Sequence, residues 1–401
     1  MVVKDRNPCL ILTGALMGVL LFMVVAAAVT IMLGRNTDYH FHIRIASQIT
    51  LNGLLHPVVF LKENCYPVWH VLTWLTMRVF GCKGGAAAAF VTGGCVLGTW
   101  LSVMVHFVRR HPDEDRFFLL AVGLLTMLAG PIYLFFFNAR LVIGQWSPNL
   151  LHNPTHLMVR AVAVPCFLLY AATLERIGGT SCFRLGLRRF LALAAVFLLA
   201  TLSKPSFIQT FIPALFLVFV YLAARRGRAA FKSLVLLGLT VFPAVAVCGF
   251  QFWSSFYSSN AGASGVEFAV LKVWSHHSPC VPVSWLLATA FPLVMAAWAV
   301  RARQFTLRDA LAWLMLGFGL VEGVLLAEKG IRALHGNFLW GWVLGLFIVW
   351  LVAMDKFVSL ARAHAAGGWR WWFRVAVSLL VAHGLSGGWY LWRFTVLRIS
   401  V

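Results

Sequence analysis

Charged residues are scarce in this sequence, and acidic residues are scarcer still. Only 11% of the 401 residues are charged, with 12 acidic side chains against 33 basic ones, whereas soluble proteins carry about a quarter. No low-complexity tail, long polar insert or internal repeat is visible. Hydrophobic residues make up 61% of the chain and the mean hydropathy is +0.86. These values exclude a soluble domain and indicate a polytopic membrane protein.

Metal-binding cysteine patterns and glycosylation sequons are also missing. The eight cysteines form no CxxC pair and no Cys/His metal spacing. Four lie inside apolar runs, as small core residues do. No Asn-x-Ser/Thr sequon occurs, which fits a bacterial cytoplasmic membrane. The cysteines therefore give no indication of a metal site.

Eleven apolar segments approach the 20 or so residues that cross a bilayer as a helix. They are 9–33, 85–107, 117–137, 157–174, 190–203, 206–224, 233–251, 281–300, 310–327, 338–353 and 373–392. The sequence thus predicts an all-α transmembrane bundle forming one domain over 1–401, with a core at 1–224 and further spans, but no soluble domain, at 225–401. The first segment reads as an uncleaved anchor, since it exceeds a signal-peptide core.

The segment 66–81 is a twelfth apolar stretch, but it is short and contains His70 and Arg78. If it lies on the membrane surface, 20 of the 33 basic residues fall on one side, as cytoplasmic loops require. These loops are the N-terminus, 108–116, 175–189, 225–232, 301–309 and 354–374. We therefore predict an interfacial or re-entrant helix at 66–81, a cytoplasmic N-terminus and an outer loop at 34–81. Because these loops account for much of the net charge of +21, no nucleic-acid partner is needed to explain that charge.

The predicted outer face and the membrane depth beneath it together hold 13 basic residues against four acids, which the cytoplasmic bias does not explain. The polar stretches of this face are 34–81, 138–156, 252–280 and 328–337. An anionic substrate handled on this side would explain the excess.

Asp38 follows the first span within the sequence NTDYHFHIR. In a helix, Asp38 and His42 share a face, with His40 nearby. A carboxylate beside imidazoles can act as a general base or bind a divalent metal. A solvated loop acid beside interfacial histidines explains the pattern equally well.

Lys204 lies in LSKPSF, within 35 residues from Phe190 to Ala224 that are too long for one crossing. We predict that Lys204 and Pro205 divide this stretch and place the lysine at the depth of lipid phosphates. Such a lysine suits a lipid-linked phosphate. A lysine that snorkels from a hairpin tip is the alternative.

The motif LLHNPTH indicates a helix start, with Asn153 as N-cap and Pro154 as the first helical residue. A helix N-terminus binds anions, and His152 and His156 flank this one. Capping alone is the simpler explanation of Asn153 and Pro154.

The densest outer cluster is EKGIRALHGNFLWGW at 328–342. Arg332 can fork onto a phosphate, Glu328 is a second acid or an ion-pair partner, and Asn337 lies nearby. The alternative is a charged interfacial turn with an aromatic belt.

The apolar anchor, the outer loop opening with Asp38 and the helix YPVWHVLTWLTMRVFG together resemble the GT-C superfamily of membrane glycosyltransferases. The resemblance covers the plan to about residue 224. It implies a polyprenyl-phosphate sugar donor used on the non-cytoplasmic face, with Asp38 as the acid of the first outer loop. Many members have paired acids, whereas Asp38 stands alone here, so metal dependence is left open.

The leading hypothesis is therefore a glycosyltransferase acting on a glycan, glycolipid or cell-envelope acceptor, among membrane lipids. Asp38 would be the base, and Lys204, Arg332 and His152 would hold the leaving phosphate. Further candidate substrate contacts are His40, His42, His70, Asn153, His156, Glu328 and Asn337. Two alternatives are a polymerase or ligase of polyprenyl-diphosphate-linked chains and a lipid-carrier flippase.

Overall fold

The computed structural model describes residues 8–34, 37–138, 147–179, 185–257 and 265–396. Three basic residues of the predicted cytoplasmic loops, Lys4, Arg6 and Arg184, lie outside these ranges. Three pieces of the predicted outer stretches, 35–36, 139–146 and 258–264, also lie outside them.

The described chain is almost entirely helical. Its helices are α1 (Pro8–Met32), α2 (Asp38–Gln48), α3 (Leu51–Leu54), α4 (Pro57–Glu63), α5 (Val68–Phe80), α6 (Gly84–Arg110), α7 (Arg116–Leu128), α8 (Pro154–Gly179), α9 (Leu187–Ser203), α10 (Ser206–Arg226), α11 (Arg228–Leu239), α12 (Phe242–Tyr257), α13 (Lys272–His277), α14 (Val281–Arg301), α15 (Leu307–Leu325), α16 (Trp340–Ala365) and α17 (Arg370–Thr395). A two-stranded antiparallel sheet pairs β1 (Val266–Phe268) with β2 (Leu326–Glu328).

Eight helical segments of the described chain are long and apolar enough to cross a membrane. They are α6, α8, α10, α14, α16, α17, most of α1, and α11 and α12 taken together. The prediction of an all-α integral membrane bundle is confirmed at this level. The other three predicted spans correspond to α7, α9 and α15, which have 13, 17 and 19 residues, and the count of eleven stays a prediction.

Helices α1 and α6 pack antiparallel, and this decides the course of the chain between them. A side chain at Gly18 would meet Trp100, and one at Gly85 would meet Leu33. The end of α1 and the start of α6 therefore lie at the same end of the bundle. Helices α2 to α5 connect these two points, so this connection as a whole makes no net crossing.

The bundle has two polar ends, which α8 connects. Asn153, before α8, hydrogen-bonds Asp38, and Glu175, near its C-terminus, pairs with Arg308. We call the first the Asp38 end. We call the second the Asp355 end, because Asp355 of α16 lies there among His106, His111 and Arg110.

The basic segments predicted to share one side gather at the Asp355 end. Contacts join each described basic segment to another one. The pairs are Arg362 with Glu114, Arg226 with the carbonyl oxygen of Gly178, Arg308 with Glu175, and Lys356 with the carbonyl oxygen of Gln304. The described parts of five predicted cytoplasmic loops thus form one surface.

The predicted span 117–137 is wrong beyond Leu128, where α7 ends. Pro131 cannot donate a helical hydrogen bond and disfavours helical geometry at Gly130. The chain instead continues irregularly and bonds to α17: Ser386 Oγ donates to the Pro131 oxygen at 2.6 Å and accepts from Tyr133 N at 2.8 Å. Pro131 therefore ends the helix here although the sequence stays apolar.

This junction depends on Gly387 of α17. A side-chain carbon there would overlap the carbonyl oxygen of Leu128, and the backbone of Gly387 is 3.1 Å from the position of a Cβ on Gly130. We expect Gly387→Ala to lower the free energy of unfolding by about 3 kcal/mol or more, since backbone must shift. Thermal unfolding in detergent measures this. Gly388→Ala, which meets nothing within 4 Å, is the control, and equal melting temperatures for the two variants would contradict the expectation.

Candidate active site

Asp38 is the first residue of α2 at the Asp38 end, where a carboxylate is favoured by the helix dipole. Its side chain is exposed, and its Oδ2 accepts a hydrogen bond from Asn153 Nδ2 at 3.0 Å. The next residue, Tyr39, is fully buried and donates to the Leu151 carbonyl oxygen at 2.9 Å. Tyr39 therefore anchors α2 against the segment that carries Asn153.

Asn153 connects the carboxylate to a lysine from a distant part of the chain. Its Oδ1 accepts from the backbone N–H of His156 at 2.9 Å, so the predicted N-cap of α8 is confirmed. The same oxygen accepts from Thr155 Oγ1 at 2.9 Å and from Lys204 Nζ at 3.2 Å. One amide thus bonds an acid through its NH₂ group and an ammonium through its oxygen; we call this the Asp38–Asn153–Lys204 unit.

Lys204 lies between α9 and α10, where the predicted break in the long apolar stretch is confirmed. Only 8% of the residue is exposed. Its Nζ is 3.4 Å from Thr155 Oγ1 and 4.1 Å from the ring centroid of Trp340, a cation–π distance. Burial lowers the pKa of Lys204 to about 7, and the Asp38 charge opposes this shift.

Trp340, at the start of α16, forms the floor of the unit. Its ring centroid is 4.9 Å from that of His156 and 5.7 Å from that of His152. His156 is fully buried, so its ring supports Trp340 and is closed off from a substrate in this conformation. His152 is half-buried, and burial lowers its pKa while Asp38 opposes the shift.

His42 and His70 form a separate buried pair. His42 Nδ1 and His70 Nε2 are 2.9 Å apart, so one ring donates to the other. Asp38 and His42 do lie on one helix, as predicted, but the described hydrogen bond of the His42 ring is with His70. Burial lowers the pKa of His42 to about 2 and that of His70 to about 4. His40, by contrast, is exposed.

The neutral histidine pair makes stability depend on pH. The folded-state pKa values lie below the ordinary 6.5, so the unfolded chain binds protons first as the pH falls below 6.5, and folding stability is lost. Between pH 6.5 and 5 we expect a loss of about 1.5 kcal/mol per ring. Melting curves of the purified protein at both pH values measure it. The double variant His42→Gln/His70→Gln should flatten the dependence and His40→Gln should leave it unchanged; the opposite pattern would contradict this origin.

A second polar cluster lies at the end of β2. The buried Glu328 accepts from Asn337 Nδ2 at 2.5 Å through Oε2, and its Oε1 is 3.7 Å from an Arg332 nitrogen. These three predicted residues therefore come together. Burial raises the pKa of Tyr66 to about 12, and the charges of Arg332, Glu328 and Asp38 act on this phenol. Tyr66 and Arg332 line the same cavity.

A polar cavity of about 360 Å³ opens beside this cluster. Helix α2 contributes Phe41 and Ile45, and the polar lining residues are Lys62, Glu63, Asn64, Tyr66, His70, Ser254, Ser255 and Arg332. Arg332 therefore faces this cavity, while Lys204 contacts Asn153, Thr155 and Trp340. The two predicted phosphate-binding cations occupy different places at the Asp38 end.

Two supports of the site were missed by sequence reasoning. Arg160 is 2% exposed inside α8, and it donates to the Pro148 carbonyl oxygen at 3.2 Å and to Asn149 Oδ1 at 3.0 Å. Asn149 in turn donates to two carbonyl oxygens at the end of α7. A charged residue within an apolar run was the available signal for Arg160. From the sequence, Trp340 is only one of the aromatic residues of the belt predicted at 328–342.

Among the residues described, no group of three His, Cys, Asp or Glu side chains is placed to hold a metal ion. Comparison with known protein families and with curated proteins gives no match.

Proposed function

We propose that the protein is a membrane glycosyltransferase of GT-C type, with its active site at the Asp38 end. The Asp38–Asn153–Lys204 unit carries this proposal. It presents an exposed carboxylate and a buried ammonium within one hydrogen-bond network at a helix N-terminus. A base next to a phosphate-binding cation is what transfer from a polyprenyl-phosphate sugar needs.

In the proposed reaction, Asp38 accepts the proton of an acceptor hydroxyl group. The hydroxyl oxygen then bonds to the anomeric carbon of the donor sugar, with inversion, and the bond from that carbon to the phosphate oxygen breaks. The leaving polyprenyl phosphate keeps the electron pair and gains negative charge. Lys204 neutralises that charge, and the backbone N–H groups at the start of α8 add their dipole.

The cavity beside Tyr66 suits the acceptor. Its hydroxyl, amide and cationic side chains can hydrogen-bond the hydroxyl groups of a glycan or glycolipid. The basic surface at the Asp355 end favours that end as cytoplasmic. The Asp38 end, the active site and the donor would then lie on the outer face, with eleven spans and a cytoplasmic N-terminus, in a bacterial cytoplasmic membrane.

The experiment for this function uses purified protein with a panel of radiolabelled polyprenyl-phosphate sugars and cell-envelope acceptors. Sugar transfer accompanied by release of free polyprenyl phosphate is the expected result. Release also excludes a flippase, which moves its carrier without breaking it. Movement of an intact donor across vesicles, with no cleavage for any sugar, would contradict the proposal.

A polymerase or ligase of polyprenyl-diphosphate-linked chains is the second candidate, because Arg332 lines the polar cavity. Such an enzyme would work through Arg332 and would not need Asp38. Arg332→Ala without activity, together with a fully active Asp38→Asn variant, would favour this candidate over the first.

A further inference from the structure

Two buried tyrosines hold the backbone of Leu151 from opposite directions. The Tyr39 hydroxyl group of α2 donates to the Leu151 carbonyl oxygen at 2.9 Å, and the Leu151 N–H group donates to the Tyr390 hydroxyl oxygen of α17 at 3.2 Å. The tyrosines are 0% and 2% exposed. Leu151 is buried in the irregular segment 147–153 before α8. Buried backbone groups need partners, and outside regular structure the two phenols supply them here.

This arrangement fixes two parts of the proposed active site relative to each other. Tyr39 directly follows Asp38, and Leu151 lies two residues before Asn153. The Tyr39–Leu151 bond therefore runs beside the Asp38–Asn153 bond of 3.0 Å, and both join α2 to the same segment. Because Asn153 also accepts from Lys204, a shift of Leu151 would displace Asn153 from both of its charged partners.

Side-chain packing is incomplete beside Leu151. A cavity of about 60 Å³, room for several water molecules, borders the segment, and Leu151, Arg160 and Tyr390 are among its lining residues. Protein interiors are otherwise close-packed, and that packing is what usually fixes a buried segment. Hydrogen bonds must therefore do more to fix the position of Leu151 than they do at a fully packed site.

Tyr390 belongs to a face of α17 that holds the irregular chain between α7 and α8. On this face, His383 and Ser386 bond the backbone of residues 130–133, and Tyr390 bonds Leu151 one turn further along. Intervals of three and four residues place all three side chains on one side of the helix. Helix α17 is thus the support against which this irregular chain is held.

We propose that Tyr390 is a positioning residue of the proposed active site. Together with Tyr39 it holds Leu151, and so it maintains the arrangement of the Asp38–Asn153–Lys204 unit. This role rests on the proposed function, because the unit needs a fixed geometry only if its members serve one reaction. Displacing a reacting group by about 1 Å can cost about 10²-fold in rate.

The test compares Tyr390→Phe with Tyr170→Phe in the purified full-length protein. Each change removes one buried hydroxyl group, but Tyr170 bonds Thr240 at 2.6 Å and packs on Phe197 and Phe211. We expect similar melting temperatures for the two variants, and single-turnover sugar transfer slowed at least about tenfold in Tyr390→Phe alone. Equal transfer rates for the two variants would overturn the proposal.

Amide hydrogen exchange, read by mass spectrometry, tests the same role without relying on transfer. Peptides covering 149–156 should exchange faster in Tyr390→Phe than in the unmodified protein, and Tyr170→Phe should leave them unchanged. Unchanged exchange in Tyr390→Phe would overturn the proposal. Faster exchange in a protein that transfers no sugar would support the positioning of the segment and count against the proposed function alone. Should Tyr390→Phe unfold, Tyr39→Phe, which removes the opposite bond, replaces it with the same expectations.

Discussion

Replacing Asp38 by asparagine should all but abolish the proposed sugar transfer while donor binding survives. Asparagine is nearly isosteric and can still accept the hydrogen bond from Asn153 Nδ2, but it cannot take a proton from the acceptor hydroxyl. General-base catalysis contributes about 10²- to 10⁴-fold, so we expect the single-turnover rate to fall at least 10²-fold. Transfer of radiolabelled sugar measures the rate, and retention of the labelled donor on the purified variant measures binding.

The matched control for Asp38→Asn is Glu267→Gln, another acid at the Asp38 end. Glu267 is paired with Lys272 and lies on β1, away from the Asp38–Asn153–Lys204 unit. Its replacement should leave transfer unchanged. An Asp38→Asn variant as active as the Glu267→Gln variant would remove Asp38 from the mechanism.

Replacing Lys204 by methionine should distinguish an effect on catalysis from an effect on stability. The variant loses the charge that neutralises the leaving phosphate in the proposed reaction, and loss of one such contact costs about 10²- to 10³-fold in rate. The stability of the folded protein should not fall to the same extent. Replacing a buried charge by an apolar side chain of similar size is often neutral or stabilising, and methionine can pack on Trp340. We expect a large loss of transfer with an unchanged or higher melting temperature.

Lys83→Met is the control for this second experiment. Lys83 is exposed at the N-terminus of α6, at the Asp38 end, so its loss should affect neither quantity. A Lys204→Met variant that transfers sugar normally would contradict the phosphate role. A Lys204→Met variant that unfolds would indicate a structural lysine. Lys204→Arg keeps the charge, so if Lys204→Arg also fails to fold, folding depends on the shape of the side chain.

Local chemistry made parts of the site predictable from the sequence. Asn153 followed by Pro154 predicts a helix start because the cap and the proline each satisfy a known requirement of the first turn. Pro205 predicts the break after Lys204 for a similar reason. Helix ends encoded by a few neighbouring residues can be recognised without knowledge of the rest of the chain.

Long-range pairing was not predictable in this way. Nothing near Lys204 indicates that Trp340, from α16, lies 4.1 Å beneath its ammonium group. Nothing near His42 indicates that its partner is His70 rather than Asp38. Such contacts depend on how helices pack, which hydropathy does not encode. The error in the predicted span 117–137 has another cause. Gly130 and Pro131 indicate a helix end, but the average hydropathy of the apolar run outweighed them.

The sequence predicted which loops carry the basic residues, but not where the individual side chains of these loops lie. In the sequence, Arg308 is simply one basic residue of the predicted cytoplasmic loop 301–309. It is in fact buried, bonded to Glu175, and beside a cavity that four other arginines also line. Counting charges reveals which end of a bundle is basic, but only packing reveals where several of them converge.

A double-mutant cycle on Asp38 and Lys204 tests most directly whether the two residues serve one reaction. Single-turnover transfer is measured for the unmodified protein, Asp38→Asn, Lys204→Met and the double variant. Residues that act as a unit are strongly non-additive, so the double variant should be no more than about threefold slower than Asp38→Asn alone. Transfer at the unmodified rate in either single variant, or losses that simply multiply, would contradict a shared site.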